Sequence, residues 1–160
     1  MGLRTILTDE DPALRKQSRE VTNFDRRLHD LLDDLAETLG HANGAGLAAP
    51  QVGVLRRVCV IHIDETIELV NPRITVTDGM QEGAEGCLSI PGRTGLVRRP
   101  ERVTVEAQDR HGKPIAFDGE GFAARAICHE LDHLDGILYT DTMKRFMTAE
   151  EIAELEKEEE

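Results

Sequence analysis

Apolar residues along the chain change period twice. Phe24, Leu28, Leu31, Leu32, Leu35 and Leu39 recur at helical spacing and predict an amphipathic helix opening at Asn23-Phe24-Asp25 and ending at Gly40 or Gly44. A shorter helix is predicted before it, with Asp11 as cap and Pro12 at the first helical position. From residue 57 to 117 the pattern is that of strands. Val58 to Ile63 is β-branched and largely apolar, Ile74 to Thr77 and Val103 to Ala107 alternate, and Pro114 to Phe117 follows a turn at Asp109 to Lys113. Glu68-Leu69-Val70 runs into Asn71-Pro72, which reads as a turn. Glu85 to Gly92 reads as a short irregular segment. Phe122 to Leu134 returns to the helical period, bounded by Gly121 and Gly136. Ile137-Leu138-Tyr139 reads as a last strand, and Thr148-Ala149-Glu150-Glu151 as a capping box opening a short helix with Ile152 and Leu155 on one side. Glu158 to Glu160 should fray.

These elements predict an α+β fold, with antiparallel sheets packed around the helix at 122–134, an N-terminal amphipathic helix and a short C-terminal helix. Aromatic residues make up 3% of the 160 and Trp is absent, so the core must be aliphatic. The formal net charge of −12 argues against a stable nucleic-acid partner and against docking on anionic lipid. Part of that acidity lies in the tail from Glu150 onward. No stretch is long and apolar enough to span a membrane, and the first residues carry no apolar signal core, so a cytoplasmic protein is expected. Three Cys, at 59, 87 and 128, with no paired spacing argue against a disulfide framework.

The predicted helix carries His129-Glu130-Leu131-Asp132-His133. Residues four apart share a helix face, so both imidazoles can hold one metal ion. Glu130 lies about 100° round from His129, where a carboxylate can move protons without being a ligand. This points to metal-assisted hydrolysis. A catalytic site of this kind takes three protein ligands and keeps one position open. Downstream, Asp135 falls on the opposite helix face, while Asp141 stays open on geometry. Upstream, Cys87 offers a thiolate, the better partner for a borderline-soft metal, although a lone Cys is more often a small buried apolar residue. The segment Gly44 to Gly53, with three Gly and three Ala, is either a tight loop or backbone left open to a ligand. His29 with Asp33 reads as a polar helix face, and His62 and His111 as strand and turn residues.

Three segments in order carry a resemblance: Gly44-Ala45-Gly46-Leu47-Ala48-Ala49-Pro50-Gln51, Glu85-Gly86-Cys87-Leu88-Ser89 and His129-Glu130-Leu131-Asp132-His133. With them the chain resembles a peptide deformylase from about residue 4 to 146. Ala45 departs from the family, which more often has Val or Ile there, and should widen the side-chain pocket slightly. The resemblance implies one catalytic domain over 1–160, with 147–160 an acidic helix or tail, that removes the formyl group from N-terminal formyl-methionine. It implies Cys87, His129 and His133 as metal ligands, Glu130 as proton carrier, and Gln51 and the Leu88 N–H as oxyanion donors. Ala45 and Gly46 would take the peptide as an added strand, Arg99 would steady its backbone, and Glu85, Phe122, Arg125 and Ala126 would border the methionine pocket. The metal implied is iron(II) in the cell, with zinc, nickel or cobalt accepted. The partners implied are formyl-methionyl peptides and nascent chains, with transient contact to the ribosome, and a monomer is expected. The alternatives are a metallopeptidase, or a module that holds a metal and binds N-termini without turnover. Asp132 reads as a partner that fixes the helix or as a solvated residue, with the first favoured.

Overall fold

The computed structural model describes residues 2–158. A five-stranded antiparallel sheet has the order β1-β2-β3-β6-β7, formed by Gly46–Ala48, Val58–His62, Thr66–Asp78, Arg102–Gln108 and Pro114–Glu120. A second sheet, β4-β5-β8, is formed by Gln81–Cys87, Ile90–Arg99 and Arg145–Phe146. The helices are α1 (Arg26–Ala42), α2 (Phe122–Leu134), α3 (Tyr139–Thr142) and α4 (Ala149–Glu158). The α+β reading therefore holds, and α2 lies at the centre as expected.

The alternation of β2 explains the layering. Cys59 and Ile61 face α2, where they join Leu69, Val105, Ile127, Leu131 and Leu134. Val58 and Val60 face the other way, onto Leu28, Leu31, Leu32, Leu35 and Leu39 of α1. At β2 the large sheet is thus covered on both faces, and that strand is buried and apolar from Val58 to Ile61. Each fully buried leucine of α1 contributes about 1.5–3 kcal/mol relative to exposure. A third cluster, Leu14, Ile90, Val97, Leu138 and Tyr139, seats the small sheet against α3.

The predicted caps form. Asp11 accepts from the Ala13 N–H and Asp25 from the Leu28 N–H. Thr148 and Glu151 exchange both bonds of the capping box at 3.0 and 3.1 Å. The first long helix stops at Asn43, in left-handed conformation at φ 55°, between the two predicted glycines. His29 and Asp33 both bond Arg110, through its carbonyl at 2.8 Å and its guanidinium at 2.8 Å, so the polar-face reading holds. His62 bonds Thr66 on its own hairpin, and His111 packs edge-on against His29.

Three expectations are corrected. Asn71-Pro72 is not a turn: β3 runs through it, with a register shift between Val70 and Arg73. Asn71 takes φ 51° while its side chain bonds both the N–H and the carbonyl of Val21, so a bulge absorbs the break that Pro72 makes in the ladder. Ile137-Leu138-Tyr139 is not a strand: Asp141 accepts from the Leu138 N–H at 3.0 Å and opens α3 at Tyr139. Glu85 to Gly92 is not a separate loop: it spans the end of β4, with a register shift between Glu85 and Cys87, the link Leu88-Ser89 and the start of β5. Of the frayed end, Glu158 closes α4, and Glu159 and Glu160 lie outside the described residues. The three cysteines are free, and among the described residues no helix is long and apolar enough to cross a membrane.

Candidate metal centre and catalytic cleft

The hairpin β4-β5 delivers Cys87 to α2. Cys87 Sγ lies 3.3 Å from His133 Nε2, and His133 Nε2 lies 3.2 Å from His129 Nε2. All three ligand atoms fall within 4.8 Å of one another. Two ligand atoms on one tetrahedral ion, with bonds of about 2.0–2.3 Å, are separated by roughly 3.2–3.6 Å. The spacing fits one ion, and a thiolate with two imidazoles suits a borderline-soft divalent metal. The candidates Asp135 and Asp141 are otherwise engaged: Asp135 pairs with Arg57, and Asp141 pairs with Arg15 and caps α3.

The ligands are held from behind. Glu85 Oε2 lies 2.7 Å from His129 Nδ1, which leaves the Nε2 lone pair for the metal. Glu85 also accepts from Arg99 through Nε at 3.0 Å and Nη2 at 2.6 Å, and from Arg125 Nη1 at 3.0 Å. Arg99 Nη1 reaches on to Asp132 at 2.7 Å. Burial pushes the Glu85 carboxyl up, but the bonds from His129 and Arg99 outweigh it and bring it down to about 2. Glu85 is therefore a fixed anion. Burial opposes charge on His129, yet Glu130, Cys87 and Glu85 together raise its pKa well above the ordinary value, so Nε2 holds a proton that a bound metal would replace. The same negative surroundings favour a cation at the ligand site. His133 is held neutral by burial and by His129.

Glu130 is buried, and burial is the main reason its carboxyl is pushed up to about 7. Its Oε1 has no hydrogen-bond partner within the protein. A carboxyl near neutrality, with one oxygen free, can take up and return a proton at working pH. Its other flank rests on Gly46, where a Cβ would fall 2.8 Å from the Glu130 carboxyl carbon.

A cleft of about 420 Å³ opens over these groups. Ala45, Gly46, Glu85, Cys87, Leu88, Phe122, Arg125, Ala126, His129 and Glu130 all line it. Each wall has a free strand edge, β1 in one sheet and β4 in the other. Gln51 sits behind the cleft, buried, with its carbonyl accepting from Ala48 N–H and its amide 3.1 Å from Ser89 Oγ and 3.6 Å from Cys87 Sγ. His133 is likewise behind the walls.

Arg99 stands differently from the expectation. Arg99 does not line the cleft; its guanidinium is spent on Glu85 and Asp132. Asp132, the unexplained member of the helix motif, is the outer end of that chain. Arg125 lines the cleft with its stem, while its nitrogens bond Glu85, Gln81 and the Val97 carbonyl. Ser89, which anchors Gln51, and the cleft residues Gly44, Ala84, Gly86, Pro91 and Gly92 were not expected. The sequence signal for Ser89 is its place at the end of Glu85-Gly86-Cys87-Leu88-Ser89.

Comparison with known proteins agrees with this geometry. Residues 3–149 match the family described as Polypeptide deformylase. The chain is 56% identical over 153 residues to the peptide deformylase of Caldicellulosiruptor bescii, covering 95% of this chain and 92% of that one. It is 54% identical over 153 residues to that of Acetivibrio thermocellus, covering 95% and 90%. The crystal structure of a peptide deformylase from Legionella pneumophila superposes with a TM-score of 0.86 at 42% identity, covering 97% of this chain and 92% of that one. The one from Thermotoga maritima gives 0.87 at 37% identity, covering 89% and 98%. A match over nearly the whole chain, with the three ligand atoms and the cleft in place, makes this protein a member of the polypeptide deformylase family.

Proposed function

We propose that Cys87, His129 and His133 hold one divalent metal, iron(II) in the cell, and that Glu130 moves the protons as formyl-methionine is deformylated. The activity is that of the family: hydrolysis of the formyl group from the N-terminus of new peptides, releasing formate. The metallopeptidase and non-catalytic alternatives find no support in the family match. The observation that carries the assignment of roles is Glu130 Oε1, buried and unpartnered beside the Cys-His-His cluster at the floor of the cleft.

A divalent ion held by Cys87, His129 and His133 would supply Lewis-acid activation of water and of the formyl group. Glu130 accepts the proton of the attacking water at Oε1 and returns it to the leaving amine. The Gln51 amide and the Leu88 N–H donate to the developing oxyanion. The methionine side chain enters the cleft between Phe122, Ala126 and the Arg125 stem, widened slightly by Ala45, and the peptide lies along the free edge at Ala45-Gly46. Arg99 and Asp132 act through Glu85, holding His129 in its tautomer.

We read residues 1–160 as one catalytic domain whose acidic end, 147–160, includes the helix Ala149–Glu158. The enzyme works as a monomer in the cytoplasm on nascent chains, meeting the ribosome only in passing, because a net charge of −12 opposes stable contact with nucleic acid. A thiolate ligand exposes iron(II) and Cys87 to oxidation, so protein prepared in air should lose activity or carry zinc; nickel or cobalt should substitute. The test is product analysis on formyl-Met-Ala-Ser. Formate and Met-Ala-Ser in equal amounts are expected, whereas cleavage of an internal peptide bond without formate would contradict the assignment.

A further inference from the structure

Beyond the catalytic cleft runs a second groove, and the two meet at Gly92, which lines both. The second groove holds about 210 Å³ and is formed by Arg93 and Thr94 of β5, Phe146 and Met147 after α3, and Ile152 of α4. It begins at the wall of the first: a Cβ on the cleft residue Gly86 would stand 3.6 Å from the Arg93 carbonyl oxygen. Its floor is fixed by the Met147 N–H bonded to the Thr94 carbonyl at 2.8 Å and by the pairing of Gly95 with Phe146.

Arg93 is the feature that needs an explanation. The chain carries 31 Asp and Glu against 19 Lys and Arg, so carboxylates are plentiful. Neighbouring cations on the same sheet have found them: Arg98 and Lys144 pair with Glu82, and Arg145 with Glu151. The Arg93 side chain has no ion pair or hydrogen bond among the described residues and is exposed. Its guanidinium lies 4.7 Å from the centroid of the Phe146 ring. Stacking fixes the plane and leaves the N–H edges free, the arrangement that receives a carboxylate.

We propose that this groove binds the substrate downstream of its second residue, and that Arg93 selects an acidic side chain there. This rests on the deformylase reading. Continuity at Gly92 commits the groove to the peptide that the cleft would hold, and the unpaired guanidinium sets the charge. The contact lies away from the reacting bond, so it binds ground state and transition state alike and appears in KM rather than kcat. An exposed, partly screened pair of this kind changes kcat/KM by about two- to fivefold, and less at high salt.

The experiment uses formyl-Met-Ala pentapeptides with Asp, Ala or Lys at the third, fourth or fifth residue. The readout is the ratio of kcat/KM for the Asp peptide to that for the Lys peptide, taken within each protein so that any general loss cancels. The parent should favour Asp at one of these positions, through KM. Arg93→Ala should bring the ratio to one, Arg93→Glu should invert it, and Arg93→Lys should keep its direction. A parent ratio of one at all three positions, or a ratio unchanged in Arg93→Glu, overturns the proposal while leaving deformylation intact. No formate from any peptide, including formyl-Met-Ala, overturns both.

Discussion

The space that a Cβ on Gly46 would need is already taken by Glu130: the carboxyl carbon would be 2.8 Å away and Cγ 2.9 Å. The edge of β1 and the catalytic face of α2 are thereby locked together. Gly46→Ala should push the Glu130 side chain aside, and a displacement of about 1 Å costs on the order of 10²-fold in rate. The loss should fall on kcat, with metal content and the circular dichroism spectrum retained. Unchanged kcat would show that the carboxylate position is not critical.

Glu85 is a buried anion with four bonds, so its partners are unequal in value. Arg99→Met removes two of those bonds and also the contact to Asp132, and it should destabilise by about 3–5 kcal/mol, as breaking a buried pair does. Asp132→Asn touches only the more exposed end of the chain and should cost about 1 kcal/mol or less. Denaturant titration of both variants checks the order; equal costs would place Asp132 at the centre of the network instead of its rim.

Stability should depend on pH through Asp34. Burial pushes its carboxyl up, but the Gly2 N–H at 2.8 Å and the Arg4 guanidinium at 2.9 Å outweigh that and hold it below its ordinary 3.8. A carboxyl whose folded pKa lies below its unfolded one stabilises above the unfolded value and loses that contribution as pH falls through the folded one. The gap in stability between parent and Asp34→Asn should therefore be constant above about pH 5 and shrink on the acid side of 3.8. A gap that widened on acidification would reverse the sign and contradict the pairing.

The site and its supports were legible to different degrees, for physical reasons. His129, Glu130 and His133 share a continuous helix, so spacing alone fixes their relative directions. Cys87 was reached by ligand chemistry and by its place in a recognisable segment. The strands that carry it were not, because Gly83, Gly86, Pro91, Gly92 and Gly95 interrupt the alternation by which a strand is read. Arg99 is expected on the peptide backbone only through the family resemblance. Its true partners, Glu85 and Asp132, are 14 and 33 residues distant, and nothing local announces them. Asn71-Pro72 misled because the Asn71 side chain satisfies Val21, 50 residues earlier, and turns an apparent strand end into a bulge.

Metal holding and proton transfer are assigned to different residues, and they should separate. Cys87→Ser removes the thiolate and should lower the iron bound per chain after anaerobic reconstitution. The same chelation that strips the parent should lower its Tm, since the metal binds only the folded site.

The proton-carrying role of Glu130 is decided by Glu130→Gln, reconstituted with iron(II) under anaerobic conditions and assayed for formate beside the parent. The variant keeps the volume and the cluster but cannot carry the proton. The expected result is the parent's metal content with formate release reduced about 10²–10⁴-fold. Full metal occupancy with undiminished formate release would contradict it.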